Sequence, residues 1–103
     1  MKRRGLRPRD LIVDAYGEKG IVYERQSGVP HPKWLARQRD ARMRAPGLAP
    51  WWSVLPLSGG GACVPDGLAE LLGEASAEDV EAAVKAGGPT AAGILKRLFP
   101  EFF

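Results

Sequence analysis

A chain of 103 residues has room for one domain and one modest core. Its 45% apolar and 26% charged content excludes a disordered chain, and no run approaches the roughly 20 apolar residues of a membrane span. The net charge of +3 is uneven: positions 1–50 carry twelve Lys/Arg against five Asp/Glu, and 51–103 carry three against seven. A basic first half suits an acidic protein surface or a phosphate backbone.

Thirteen glycines and nine prolines predict frequent turns and short elements. Cys63 is the single cysteine, which rules out an internal disulfide and fits a reducing, cytoplasmic setting. The opening MKRRGLRPRD has the charge of a signal peptide's first region. Asp10 and Asp14 interrupt the apolar stretch that would have to follow, so secretion by that route is not expected.

In chain order, 1–9 reads as a loosely ordered basic arm. DLIVDAYGEKGIVYERQ then reads as a hairpin. Leu11 and Val13 alternate with Ile12 and Asp14, the stretch from Gly17 to Gly20 turns with glycine at both ends to take positive φ, and Ile21, Val22 and Tyr23 suit a pleated strand. SGVPHP breaks the pattern. PKWLARQRDARMR, 32–44, has helix-forming composition, with Pro32 tolerated in the first turn and a thin apolar stripe of Trp34, Leu35, Gln38 and Ala41. APGLAP closes this excursion of 26–50, a connection long enough to suggest a function.

Positions 51–57 read as a third strand, with Trp52, Val54 and Leu57 expected to be buried and Pro56 marking an edge or bulge. Ser58 and three glycines make a hairpin turn into a short fourth strand, 62–64, and 68–72 reads as a helical turn or a last short strand. Ser76 and Asp79 form a partial capping box. Val80, Ala83 and Val84 share one helical face, Gly87-Gly88 interrupts, and Pro89 starts a second helix carrying Ile94, Leu95, Leu98 and Phe99. Pro100 ends it before Glu101-Phe102-Phe103.

The blocks DLIVDAYGEKGIVYE and WWSVLPLSGGGACVPDGLAEL resemble an SH3-like small barrel of the Tudor and KOW kind, over about half the chain. Such barrels often open with an apolar-x-apolar-Asp strand, a glycine turn and a Gly-apolar-Val strand, then a Trp/Val strand and a glycine hairpin. The length leaves room for a single domain, of which the resemblance covers only the barrel strands. Its parts would be an arm at 1–9, an SH3-like barrel at 10–73 with a helical insertion at 26–50, and C-terminal helices at 74–103. The class is mostly β with C-terminal helices (α+β). On this reading Ile12, Val22, Val54 and Val64 share one interior. The aromatics available for a Tudor-type cage are Tyr16, Tyr23, Trp51 and Trp52, and the loop equivalent to a basic KOW glycine loop holds only the neutral pair Glu18-Lys19. Neither family's binding residues are therefore carried over.

No catalytic constellation stands out. His31 is a lone histidine between prolines. Cys63 sits among small apolar residues with no basic neighbour in sequence and reads as an inert thiol. Asp10 and Asp14 look like paired carboxylates, but an aspartate before a turn is ordinary hairpin chemistry. SGGGAC lacks the Lys-Ser/Thr of a phosphate loop. One Cys and one His cannot make a zinc site. The expectation is a non-enzyme with no cofactor, no metal, no membrane and no small-molecule substrate.

Two binding readings remain. The favoured one is a protein-binding module, of inhibitor, immunity-type or adaptor character, using Trp34, Leu35, Arg37, Arg39, Arg42, Tyr16 and Trp51, with Phe99, Phe102 and Phe103 as an aromatic end. The alternative is nucleic-acid binding through the arm (Lys2, Arg3, Arg4, Arg7, Arg9) and the Arg-rich helix 33–44, with Tyr16 or Trp34 stacking on a base.

Overall fold

The computed structural model describes residues 5–14, 16–26 and 51–103, excluding the side chains of Gln26 and Asp66. Among the described residues, five antiparallel strands precede one helix. They are β1 (Asp10–Val13), β2 (Lys19–Gln26), β3 (Trp51–Pro56), β4 (Ala62–Pro65), β5 (Glu70–Glu74) and α1 (Ala77–Leu98). A 3-10 turn, Asp66–Leu68, joins β4 to β5, and another, Pro100–Phe102, follows α1. The class is thus mixed α+β. The helical insertion expected at 26–50 lies outside the described residues.

The sheet order is β4-β3-β2-β1-β5. Ile12, Val22, Val54 and Val64, one from each of the first four strands, share a buried cluster with Leu6 and Ala69, and Leu71 of β5 packs against it. Both edge strands therefore feed one interior, so the sheet is curled. The opposite face carries Ile21 and Leu55, and it is covered by Val80, Ala83, Ala91 and Leu95 of α1 and by Phe99, which follows the helix. Alternation along each strand assigns the two faces. Leu11 pairs with Ile21 and Ile21 with Leu55 on the helix side, while Val22 pairs with Val54 on the inner side.

Several local expectations change. Gly17 has φ of +81°, but Gly20 lies within β2 and is glycine for another reason: a Cβ there would stand 2.3 Å from Val54 Cγ1. Pro56 does not mark an edge, because β3 is flanked by β2 and β4. It lies past the last β3–β4 pair, Val54 with Ala62, where its missing N–H leaves no ladder bond unmade. Leu55 is buried because β3 is covered on both sides, and Leu57, one residue past β3, is only half-buried. The segment after β4 is both of the expected elements in succession, the 3-10 turn and then β5.

The capping box is complete, not partial. Asp79 N–H donates to Ser76 Oγ at 3.2 Å, and Ser76 N–H donates to Asp79 Oδ2 at 2.8 Å. The two predicted helices form one element with a break at Gly88, whose φ of +70° and ψ of −154° leave the helical region. Pro89 then begins the second half, where no N–H is required. Val80 and Ala83 of the first half share one core with Ala91 and Leu95 of the second, so both halves cover the same face of the sheet.

The described part of the arm, 5–9, is held against the fold. Leu6 is buried in the inner cluster, Arg9 N–H donates to Val22 O at 2.9 Å, and Ala75 N–H donates to Arg9 O at 2.9 Å. No helix among the described residues is long and apolar enough to cross a membrane.

Candidate functional site

The break at Gly88 has a consequence at the surface. Lys85 and Phe102 border the same groove, although a straight helix would carry them about 25 Å apart at 1.5 Å per residue. The groove holds about 590 Å³. Val80 and Val84 of the first half of α1 line it together with Phe102 and Phe103. Phe102 is 41% exposed and Phe103 54%. Glu81 and Lys85, one turn apart and both exposed, supply one charge of each sign at its edge. Its lining thus joins apolar side chains with one acidic and one basic residue.

Phe102 is fixed from the other end of the chain. Phe99 is fully buried and its ring stacks on Phe102 at 5.5 Å between centroids. The Arg9 guanidinium lies over the Phe99 ring and spends its N–H donors nearby. Arg9 Nε and Nη2 donate to Glu74 Oε1 at 3.2 and 2.7 Å. Arg9 Nη1 donates to Leu98 O at 3.1 Å and to Glu101 Oε1 at 3.2 Å, and Nη2 donates to Glu101 Oε2. The forked pairing holds the Glu101 carboxyl below its usual range and pushes the Arg9 pKa up. Arg9 is thus occupied within the fold and is not available as a phosphate-tracking arm residue.

The sequence-predicted binding residues are not assembled into one patch. Tyr16 is exposed in the β1–β2 turn, beside the start of β2. Trp51 is half-buried at the start of β3 and pairs with Gln26 at the far end of β2. An eight-residue strand separates them, roughly 25 Å at about 3.3 Å per residue. Trp34, Leu35, Arg37, Arg39 and Arg42, and also His31, lie outside the described residues. Trp52 packs against the inner cluster, and its buried indole N–H has no acceptor among the described residues.

The polar candidates have structural duties. Asp14 Oδ1 accepts the N–H groups of Tyr16 at 2.8 Å and Glu18 at 3.0 Å, which builds the hairpin turn. Asp10 is buried and accepts Arg7 N–H at 2.9 Å. Cys63 is half-buried opposite Ser53. Burial pushes its thiol pKa up, and a hydrogen bond with Ser53 partly opposes this. Among the described residues no cluster of His, Cys, Asp and Glu could hold a metal ion.

Glu81, Val84 and Lys85 were missed as site residues. Val84 read as part of one apolar face of the helix with Val80 and Ala83, and Glu81 and Lys85 drew no reading. The available signal was Gly87-Gly88-Pro89, which predicts the break that lets Phe102-Phe103 return to the first half of the helix. No protein-family model matches the chain, and comparison with curated proteins and with solved structures finds no match.

Proposed function

We propose that this chain is a non-enzymatic protein-binding module built on an SH3-like small barrel, and that it engages its partner through the C-terminal aromatic groove. The SH3-like reading is supported by the sheet order, by a 3-10 turn between β4 and β5, and by the interior shared by Ile12, Val22, Val54 and Val64. Its single cysteine fits work in the cytoplasm.

The observation that carries the binding reading is the exposure of two adjacent phenylalanines in a groove that Val80 and Val84 also line. Scattered exposed apolar residues are ordinary, but aromatics clustered at a groove are typical of interface anchors. The chemistry of the groove selects a protein surface with an apolar ridge flanked by one acidic and one basic side chain. An inhibitor, immunity-type or adaptor role is consistent with such a surface.

The test is affinity capture by the full chain, followed by binding of each captured protein in purified form. Phe102→Ala/Phe103→Ala should weaken that binding by about a hundredfold, the scale of one interface hot spot. Unchanged binding by the double variant would refute the groove as the site. Salt-sensitive retention on DNA, abolished by neutralising Arg37, Arg39, Arg42 and Arg44, would instead favour nucleic acid.

A further inference from the structure

We infer that the partner of the aromatic groove is a second copy of this chain, docked about a two-fold axis. This rests on the groove being the binding site. The argument is charge complementarity. Glu81 and Lys85 sit one helical turn apart on the face that borders the groove, both are exposed, and among the described residues neither is in an ion pair. Two such helices approaching antiparallel, about an axis midway between these positions, set Glu81 of each copy against Lys85 of the other. Both ion pairs form from the single operation. A parallel approach would set like charges together.

The same patch also carries both halves of a fit. Phe102 and Phe103 are exposed along one side of a groove that Val80 and Val84 also line. A two-fold interface requires one surface to be complementary to itself, so exposed aromatics beside a groove on one face meet that need. The aromatic contact supplies the affinity. The exposed ion pairs fix direction and register, since such pairs are individually weak. Arg9 serves this interface indirectly, by holding the Phe99–Glu101 turn that leads into Phe102 and Phe103.

The test is sedimentation of the purified full chain up to about 1 mM, beyond the range of micromolar association. The wild-type chain should self-associate reversibly as a dimer. Glu81→Lys alone and Lys85→Glu alone should each self-associate at least tenfold more weakly than the wild type, because each turns both ion pairs into like-charge contacts. An equimolar mixture of the two should form a heterodimer, because both contacts then become attractive again. Phe102→Ala/Phe103→Ala should be monomeric. Circular dichroism of each variant checks that it is folded, as expected for exposed positions.

A wild-type chain that stays monomeric throughout overturns the inference. So does a mixture that associates no more than its separate components. If the wild type is monomeric yet captures another protein in a Phe102- and Phe103-dependent way, the groove remains a binding site and only the second copy is excluded. A dimer that persists in Phe102→Ala/Phe103→Ala removes the groove from both roles.

Discussion

The guanidinium carbon of Arg9 stands 4.5 Å from the centroid of the Phe99 ring, which joins the start of the chain to its last turn. Arg9 holds this position with φ of +82°, in the left-handed region where a non-glycine residue costs about 1–2 kcal/mol. Its backbone bonds to Val22 and Ala75 hold it there. The guanidinium then reaches Glu74, Leu98 O and Glu101 together.

Arg9→Gly should separate these two contributions. Glycine accepts the positive φ, so the variant loses only the side chain. The last turn should loosen: the Phe102 N–H that donates to Phe99 O, and the Phe103 N–H that donates to Pro100 O, should exchange about tenfold faster or more. Arg9→Ala should be less stable than Arg9→Gly, since it keeps the strain. Arg9→Lys should fall short of the wild type because an ammonium lacks the fork. Hydrogen exchange and thermal unfolding read both effects.

Acid should release the same turn. The Glu101 carboxyl is held down in the folded chain, chiefly by its hydrogen bonds to Arg9. A depressed folded pKa contributes stability that is fully present above the unfolded value, about 4.3 for glutamate, and is lost as pH falls through the folded value. Protection of the Phe102 amide should therefore be flat from neutrality down to about pH 5 and decline below it. Glu101→Gln should remove that decline. A decline centred near neutrality, or one unchanged in Glu101→Gln, would contradict the assignment.

The inner face should be intolerant at Gly20. A Cβ there meets Val54 Cγ1 at 2.3 Å and the backbone at Leu55 O (3.2 Å) and Pro56 Cα (3.3 Å). Gly20→Ala should cost about 1–3 kcal/mol by overpacking. In a Val54→Ala background the worst contact is gone, so the added cost should shrink by more than about 0.5 kcal/mol. Urea unfolding of the four chains in this cycle measures the coupling. Strict additivity would mean that β2 and β3 are not in this register.

Leu95 and Leu72 should differ sharply. Leu95 is fully buried between α1 and the sheet, whereas Leu72, at the bulge of β5, is 44% exposed. Leu95→Ala should cost about 2–5 kcal/mol, a large share of the stability of so small a domain. Leu72→Ala should stay within about 0.5 kcal/mol. Equal losses at the two sites would argue that α1 does not cover this face.

What the amino-acid order determined by itself was local. Alternation in DLIVDAY and GIVYE, the Asp14 turn, the glycine hairpin after Leu57, the Ser76 cap and the Gly88 break are each decided by near neighbours, and each is present as an element. The common interior of Ile12, Val22, Val54 and Val64 was legible as well, because period-two patterning marks which residues must leave water together. Tertiary structure alone decided what depends on distant pairs. It put Tyr16 and Trp51 at opposite ends of β2, turned Gly20 into a packing requirement, and drew Arg9 out of the basic arm to anchor Phe99. It also brought Phe102 and Phe103 against the first half of α1. No local pattern encodes these outcomes, since each follows from which faces the folded chain leaves uncovered and which charges it brings within reach.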